Sequence, residues 1–522
     1  MRRRDDVVFR SSGLVRVLLA GMLVVTGMLG LAGWRTEPGS PSVQLGDTVM
    51  TGIYETNGIA AFLGLPFAEP PVGERRWARP VAWQPDGQSV NASTFAPACM
   101  QTDSGVEWYR GMMARVGLDP NLMVAPEYSE DCLYLNVWTD LEADEPLPVM
   151  IYIHGGGNTG GWSYEPNYHG EQLAQQGMVV VSVAYRLGIF GWLNHPEMTI
   201  KNLALHDLAA SLAWVNEHIA AFGGDPERIT VVGESSGADN AIHLAISPLS
   251  QGRMRRLIQQ SGGWSFDEGP DTPAAEAHAL AFQRAVLGES GSLAGLREMS
   301  ASELLDAAGE VYSSFYFDPV QDPESLPETL PELSDRGAMP AIDVILGTNL
   351  NEALMYVPSG SAPTEYFGGR LSEEAIEKIF GLFPDDKPVL EQMDRVGTGI
   401  EYLCPSLALA SAIDEVGGHA WVYRFDRVRP GFEAIGAYHG AELPYMFDQH
   451  DGWLPSEEID ERLTGEMVAH WSAFIRNGDP SSDGALPWPR WRANDGYMMR
   501  YGDETNSEPH PDRAFCDAIR LP

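Results

Sequence analysis

Arg228-Ile229-Thr230-Val231-Val232-Gly233-Glu234-Ser235-Ser236-Gly237, followed by Ala238 to Ile246, is the stretch that decides the fold. Ile229 to Val232 are all β-branched and predict a short buried strand. Gly233 to Gly237 read Gly-x-Ser-x-Gly, and Ala238 to Ile246 suit a helix. The order is therefore strand, tight turn, helix. A serine at such a turn is forced into a strained backbone that projects its hydroxyl from the sheet edge. The flanking glycines are needed because a Cβ there would strike the neighbouring strand and helix, and the helix N-terminus favours negative charge. The pentapeptide alone is common, so its flanks carry the weight in making Ser235 a candidate nucleophile. Gly288-Glu289-Ser290-Gly291-Ser292 serves as a control: it lacks the final glycine and follows a helical pattern, so Ser290 is expected in a loop.

Outward from this turn, apolar runs bounded by turn residues recur at Val149 to Ile153, Met178 to Val183, Leu257 to Gln260, Val344 to Leu346 and Ala420 to Tyr423. They read as buried strands. Between them lie helical patterns, the clearest from Leu203 to Ala221, where Leu205, Leu208, Leu212, Val215 and Ile219 recur every three or four residues. Strands alternating with helices imply an α/β fold with a large, mostly parallel central sheet and helices on both faces. Residues 267–339, rich in Glu, Asp, Ala, Ser and Pro, break the rhythm and are expected as a helical insertion over the sheet. No tandem repeat appears, so residues 37–522 are expected to form one elaborated domain.

The chain has 522 residues, 73 acidic against 34 basic, a formal charge of −39, and only three lysines, Lys201, Lys378 and Lys387. Nucleic acid is excluded as a partner on this balance. The acidity reads either as a hydrated surface that maintains solubility or as a field that steers cationic substrates. At the N-terminus, Arg2, Arg3, Arg4, Arg10 and Arg16 precede an apolar run from Val17 to Trp34. Residues 1–36 thus read as an export signal, either cleaved near Gly30-Leu31-Ala32 or retained as a membrane anchor through residues 17–34. Export to a secreted or periplasmic location permits disulfides. The natural pairs are Cys99 with Cys132 and Cys404 with Cys516, four unpaired thiols being the alternative. Closing loops of 33 and 112 residues would stabilise the fold by roughly 4 and 5 kcal/mol. No spacing suggests a metal site.

Pro148 to Ile153 empties into His154-Gly155-Gly156-Gly157. Successive glycines let backbone N–H groups converge on one point. Gly156 and Gly157, with the N–H of Ser236, are the candidate donors to an oxyanion, each worth about 3 to 4 kcal/mol in a transition state. His154 is read as a residue that fixes this loop.

A serine hydroxyl needs an imidazole to take its proton and a carboxylate to orient that imidazole. In α/β hydrolases the chain order is Ser, acid, His. Glu352, beyond the strand Val344 to Leu346 in the loop Gly347-Thr348-Asn349-Leu350-Asn351-Glu352, is the candidate acid. His439, in the glycine-flanked loop Gly436 to Tyr445 after the last clear strand, is the candidate base.

These residues together resemble the type-B carboxylesterases, the family that includes cholinesterases, from about Val43 to the C-terminus. Phe62 to Gly73 is similar to the family's first signature and Ser129-Glu130-Asp131-Cys132-Leu133-Tyr134-Leu135-Asn136-Val137 to its second. Phe222-Gly223-Gly224-Asp225-Pro226, Gly347-x-Asn349-x-x-Glu352 and His439-Gly440-x-Glu442 match as well. The resemblance implies the α/β-hydrolase fold and a triad of Ser235, Glu352 and His439. It implies the same two disulfides, ion pairs of Arg76 with Glu130 and Arg186 with Asp207, and Ser261 bonded near the acid. Cofactors are not expected.

The chain also departs from the family. Ser236 stands where alanine is usual, Ala238 and Ala353 replace common glycines, and the choline-binding tryptophan has no counterpart at Asn121-Leu122-Met123. Trp108 lies on the same loop at another spacing and reads as packing or as a wall of the site. The expected function is hydrolysis of small to medium carboxylic esters through an acyl-enzyme. The rivals are a catalytically silent adhesion or binding member of the same fold, which an aryl ester turnover assay separates, and a lipase, which chain-length profiling separates.

Overall fold

A computed structural model describes residues 39–509 except 251, 264–271, 313–316, 359, 369, 385, 451 and 483, together with a helix at 513–519. The expected signal or anchor at 1–36, with its apolar run 17–34, and the start of the expected insertion at 267–271 lie outside the described residues.

Eleven strands form the main sheet: β1 (Ile53–Tyr54), β2 (Ala60–Pro66), β3 (Tyr134–Thr139), β4 (Leu147–Ile153), β5 (Val179–Val183), β6 (Gly224–Glu234), β7 (Arg256–Gln260), β8 (Asp343–Asn349), β9 (His419–Phe425), β10 (Tyr497–Tyr501) and β11 (Thr505–Pro509). Their spatial order is β11-β10-β9-β8-β7-β6-β4-β5-β3-β2-β1. From β5 to β10 every pairing is parallel. Antiparallel strands flank this centre on both sides.

The central strands are apolar on both faces. Val149, Ile151 and Ile153 join one core with Leu205, Leu208, Leu212 and Val215 of the helix Leu203–His218. Met150 and Tyr152 join the other, with Met467, Trp471 and Phe474 of the helix Glu458–Asn477. Each such side chain contributes roughly 1.5–3 kcal/mol through burial. Since both faces are apolar, alternation cannot set the register. Bonds at the strand exits help to hold it: Ser235 N–H donates to the Gln260 carbonyl (2.9 Å) and Ser261 N–H to the Gly347 carbonyl (2.7 Å).

Between β7 and β8 lie helices Thr272–Leu287, Leu293–Arg297, Ala301–Val311 and Leu330–Asp335. This segment is anchored to the body through side chains and backbone alike: Arg79 pairs with Glu324 (2.6 Å), Lys201 with Glu276 (2.8 Å), and Phe282, Leu296 and Leu330 share the core of the Leu203–His218 helix. Asn158 Nδ2 donates to the Phe317 carbonyl (2.7 Å), and Asn202 donates to the Val320 carbonyl (2.7 Å) while accepting its N–H (2.9 Å). Ser247 Oγ donates to the Ser325 carbonyl (2.6 Å). Ser290 lies in the turn after the helix Thr272–Leu287, as its missing glycine led one to expect.

Cys99–Cys132 and Cys404–Cys516 are both disulfide-bonded. Arg186 meets the fully buried Asp207 carboxylate through Nε (2.8 Å) and Nη2 (2.7 Å). Arg76 pairs with Glu130, its Nε at 2.6 Å.

Candidate active site

Strand β6 delivers Ser235 at φ 55°, ψ −132°, a conformation that costs a non-glycine residue of order 1–3 kcal/mol. Neither glycine around it tolerates a side chain. A Cβ on Gly233 would lie 2.2 Å from the Gly237 carbonyl oxygen, and one on Gly237 would lie 2.2 Å from that of Ile153. The helix Ser236–Ile246 starts one residue later, so the Ser236 N–H opens its first turn.

His439 Nδ1 faces Glu352 Oε2 at 2.7 Å, and its Nε2 faces Ser235 Oγ at 2.8 Å. A carboxylate only accepts, so the Nδ1–H tautomer points at Glu352 and leaves Nε2 free to accept the serine proton. The structure thus brings Ser235, Glu352 and His439 together from far apart in the chain. Glu352 is fully buried, and its other oxygen accepts from Ser261 Oγ (2.6 Å) and Asn349 N–H (2.6 Å).

The glycine run after β4 comes against this site: a Cβ on Gly155 would sit 2.8 Å from the Ser235 Cβ. Gly156 (φ 107°) and Gly157 (φ 61°) have left-handed backbones. At Gly156 the Gly160 carbonyl oxygen would lie 2.2 Å from any Cβ, so glycine is required there. His154 is buried, its Nδ1 2.8 Å from the Gly155 carbonyl, and burial lowers its pKa to about 4. It is therefore a neutral part of the loop.

Several residues beyond the three expected ones shape the site, and their roles were not read from the sequence. Glu234 Oε1 stands 3.5 Å from His439 Nε2 and has no hydrogen-bond partner among the described residues. Burial pushes its carboxyl up, as do Glu442, Glu352 and Glu165, against the opposing pull of His439. For His439, burial works to lower the pKa, but Glu234, Glu352 and Glu442 outweigh it and raise it. Asn349 joins the acid and base loops by donating through Nδ2 to the Tyr438 carbonyl (2.8 Å) and Glu442 Oε2 (2.6 Å). Asn351 Nδ2 donates to Asp394 (2.7 Å) and its Oδ1 accepts the Ala437 N–H (3.0 Å). Tyr402, in a π-helical turn, lies 5.2 Å from the His439 ring, and Trp108 packs 6.2 Å from Tyr438. Among the described residues no cluster of histidine, cysteine, aspartate or glutamate is arranged to hold a metal ion.

The strand order, the parallel centre and the serine turn at its middle define an α/β hydrolase. A family profile described as the carboxylesterase family matches residues 40–518, and the chain belongs to that family of carboxylic ester hydrolases. It is 31% identical over 486 residues to the para-nitrobenzyl esterase of Bacillus subtilis (strain 168), covering 87% of this chain and 94% of that one. With the liver carboxylesterase of Sus scrofa it shares 31% over 539 residues, covering 91% and 92%. A solved structure of a PNB esterase superposes with a TM-score of 0.80 at 30% identity, covering 93% of this chain and all of the other.

Proposed function

We propose that the protein is an exported serine esterase, with residues 37–522 as one catalytic domain, that cleaves small to medium carboxylic esters through Ser235, Glu352 and His439. The observation that supports it most is the unbroken run of contacts from Ser235 Oγ through His439 to Glu352, at 2.8 and 2.7 Å.

In this reading Ser235 Oγ attacks the ester carbonyl carbon while His439 Nε2 takes its proton. The carbonyl π electrons move to oxygen, which the N–H groups of Gly156, Gly157 and Ser236 receive. Collapse breaks the carbon–oxygen bond to the alcohol, which leaves with the proton from Nε2, and Ser235 stays acylated. Water then attacks the acyl carbon, giving its proton to Nε2. The second collapse releases the carboxylic acid and returns the proton to Ser235 Oγ. Glu352 holds the tautomer and stabilises the imidazolium throughout. No step calls on a metal or organic cofactor.

The para-nitrobenzyl esterase and liver carboxylesterase relatives make aryl and simple alkyl esters suitable probes. Diethyl p-nitrophenyl phosphate should phosphorylate Ser235, and Ser235→Ala should abolish p-nitrophenyl butyrate hydrolysis. Label on another residue, or full activity in the variant, refutes the assignment. For export, the two disulfides fit an oxidising compartment, and residues 1–36 supply the signal. N-terminal sequencing of secreted protein that begins after residue 30 supports cleavage; intact residues 17–34 in a membrane fraction support an anchor.

A further inference from the structure

Among the described residues, neither the Gly156 nor the Gly157 N–H meets an acceptor. Within the turn the Gly155 carbonyl meets His154 Nδ1 (2.8 Å) and the Gly156 carbonyl accepts the Thr159 and Gly160 N–H groups (3.1 and 3.0 Å), and beyond these bonds the aim of the two groups depends on what holds the ends of the turn. At the near end the His154 carbonyl accepts the Tyr185 hydroxyl at 2.8 Å. At the far end stands Asn158, 2% exposed and left-handed at φ 58°. Its N–H donates to Ser236 Oγ (3.1 Å) and its carbonyl accepts the Gly188 N–H (2.7 Å). Its Oδ1 accepts from Asn240 Nδ2 (2.7 Å) and its Nδ2 donates to the Phe317 carbonyl (2.7 Å).

Of these partners Ser236 is the one next to the nucleophile, and its own N–H opens the nucleophile helix. Tyr185, which holds the near end, also faces Ser236: burial pushes its hydroxyl up, and the Ser236 and Asn240 side chains counter that shift. We propose that the Ser236 hydroxyl is a positioning group: by accepting the Asn158 N–H it ties the far end of the glycine turn to the nucleophile helix, so that the three backbone donors hold one arrangement. This deepens the serine-esterase reading above and rests on it. Alanine, the residue usual in the family, would keep the Ser236 N–H and remove only the tie. The Asn158 N–H would lose its acceptor, and the strained residue behind the turn would be free to relax. A displacement on the order of 1 Å costs about 10²-fold in rate, so a partial release is expected to cost about tenfold.

The test is Ser236→Ala, with active sites counted by diethyl p-nitrophenyl phosphate titration. On p-nitrophenyl butyrate, kcat per titrated site should fall about tenfold with KM changed less than about twofold, because the donors act on the transition state. Binding of an alkyl trifluoromethyl ketone, which forms a tetrahedral adduct, should weaken in step with kcat/KM. Competitive inhibition by butyrate should not move. Ser236→Thr, which keeps the hydroxyl, should recover most of the lost kcat. Should the alanine variant give no soluble protein, Ser236→Cys, with a weaker acceptor in similar volume, should show the same split to a smaller degree. A kcat per site and a ketone affinity within about twofold of the unaltered enzyme, or a lower melting temperature alone, would overturn the proposal. If the unaltered enzyme is not labelled at Ser235, the serine-esterase reading itself has failed.

Discussion

Glu234 Oε1 lies 3.5 Å from His439 Nε2, the same nitrogen that meets Ser235 Oγ at 2.8 Å. His439, the proposed base, is thus approached by carboxyl groups from two sides, Glu352 at Nδ1 and Glu234 at Nε2. Both favour the imidazolium, and with Glu442 they raise the His439 pKa against the opposing effect of burial.

That arrangement fixes the direction of a pH effect. In the proposed mechanism His439 must be neutral to accept the Ser235 proton, so activity should be lost as pH falls through its raised pKa, above the ordinary histidine range. Glu234→Gln removes one source of the rise. The acid limb of its kcat/KM profile should lie at lower pH than that of the unaltered enzyme, and a limb that stays or moves up would contradict this.

Glu352→Gln keeps the shape of the acid but makes one of its two terminal atoms a donor. Each of its hydrogen-bond partners among the described residues is a donor: His439 Nδ1–H, Ser261 Oγ–H and Asn349 N–H. The amide must leave one bond unmade or turn the imidazole to the wrong tautomer. A loss on the order of 10³–10⁴ in kcat, with KM little changed, is expected from steady-state assays.

Gly237→Ala tests the packing of the nucleophile turn. Its Cβ would lie 2.2 Å from the Ile153 oxygen and 2.5 Å from that of His154, both backbone atoms where β4 enters the glycine run. To relieve that contact the turn must move by about 1 Å, for which a loss of about 10²-fold or more in kcat/KM is expected. Near-native activity would mean that the two segments do not meet this closely.

The buried pair Arg186 and Asp207 answers to stability. Asp207→Ala leaves a guanidinium with 4% of its side chain exposed and no carboxylate beside it. The expected destabilisation is about 3–5 kcal/mol, seen as an earlier midpoint in urea unfolding followed by tryptophan fluorescence. A change below about 1 kcal/mol would show that the cation finds another partner.

Most of the parallel centre was legible in the sequence because its signals are local, short apolar runs bounded by turn residues; β10, Tyr497–Tyr501, has no such run and was not among the expected strands. Strands β2 and β3 were harder to read for physical reasons. Gly64, at φ 68° within β2, sits where the register shifts, and β3 carries the buried polar residue Asn136. Among the described residues the Asn136 side chain is satisfied by distant groups, Gly64 N–H (2.9 Å), Ser163 Oγ (3.2 Å) and Ser182 Oγ (3.0 Å). The three residues chosen as nucleophile, acid and base could be picked by motif and chain order. Glu234 and Asn349 stand inside motifs, but their roles could not be read there, and Asn158 has no motif at all, since what these side chains do depends on contacts far away in the chain. Asn158, for example, meets Ser236 across 78 residues and Phe317 across 159, and Glu234 stands 205 positions before His439.

The insertion between β7 and β8 is held in two ways. Asn158, Asn202 and Ser247 grip its backbone at Phe317, Val320 and Ser325, while Arg79 with Glu324 and Lys201 with Glu276 tie its side chains, and Phe282, Leu296 and Leu330 join the main core. The first kind of grip does not read residue type; the second does. A transplanted segment would therefore have to keep those carboxylates and apolar positions to dock, which leaves variation to the remaining positions.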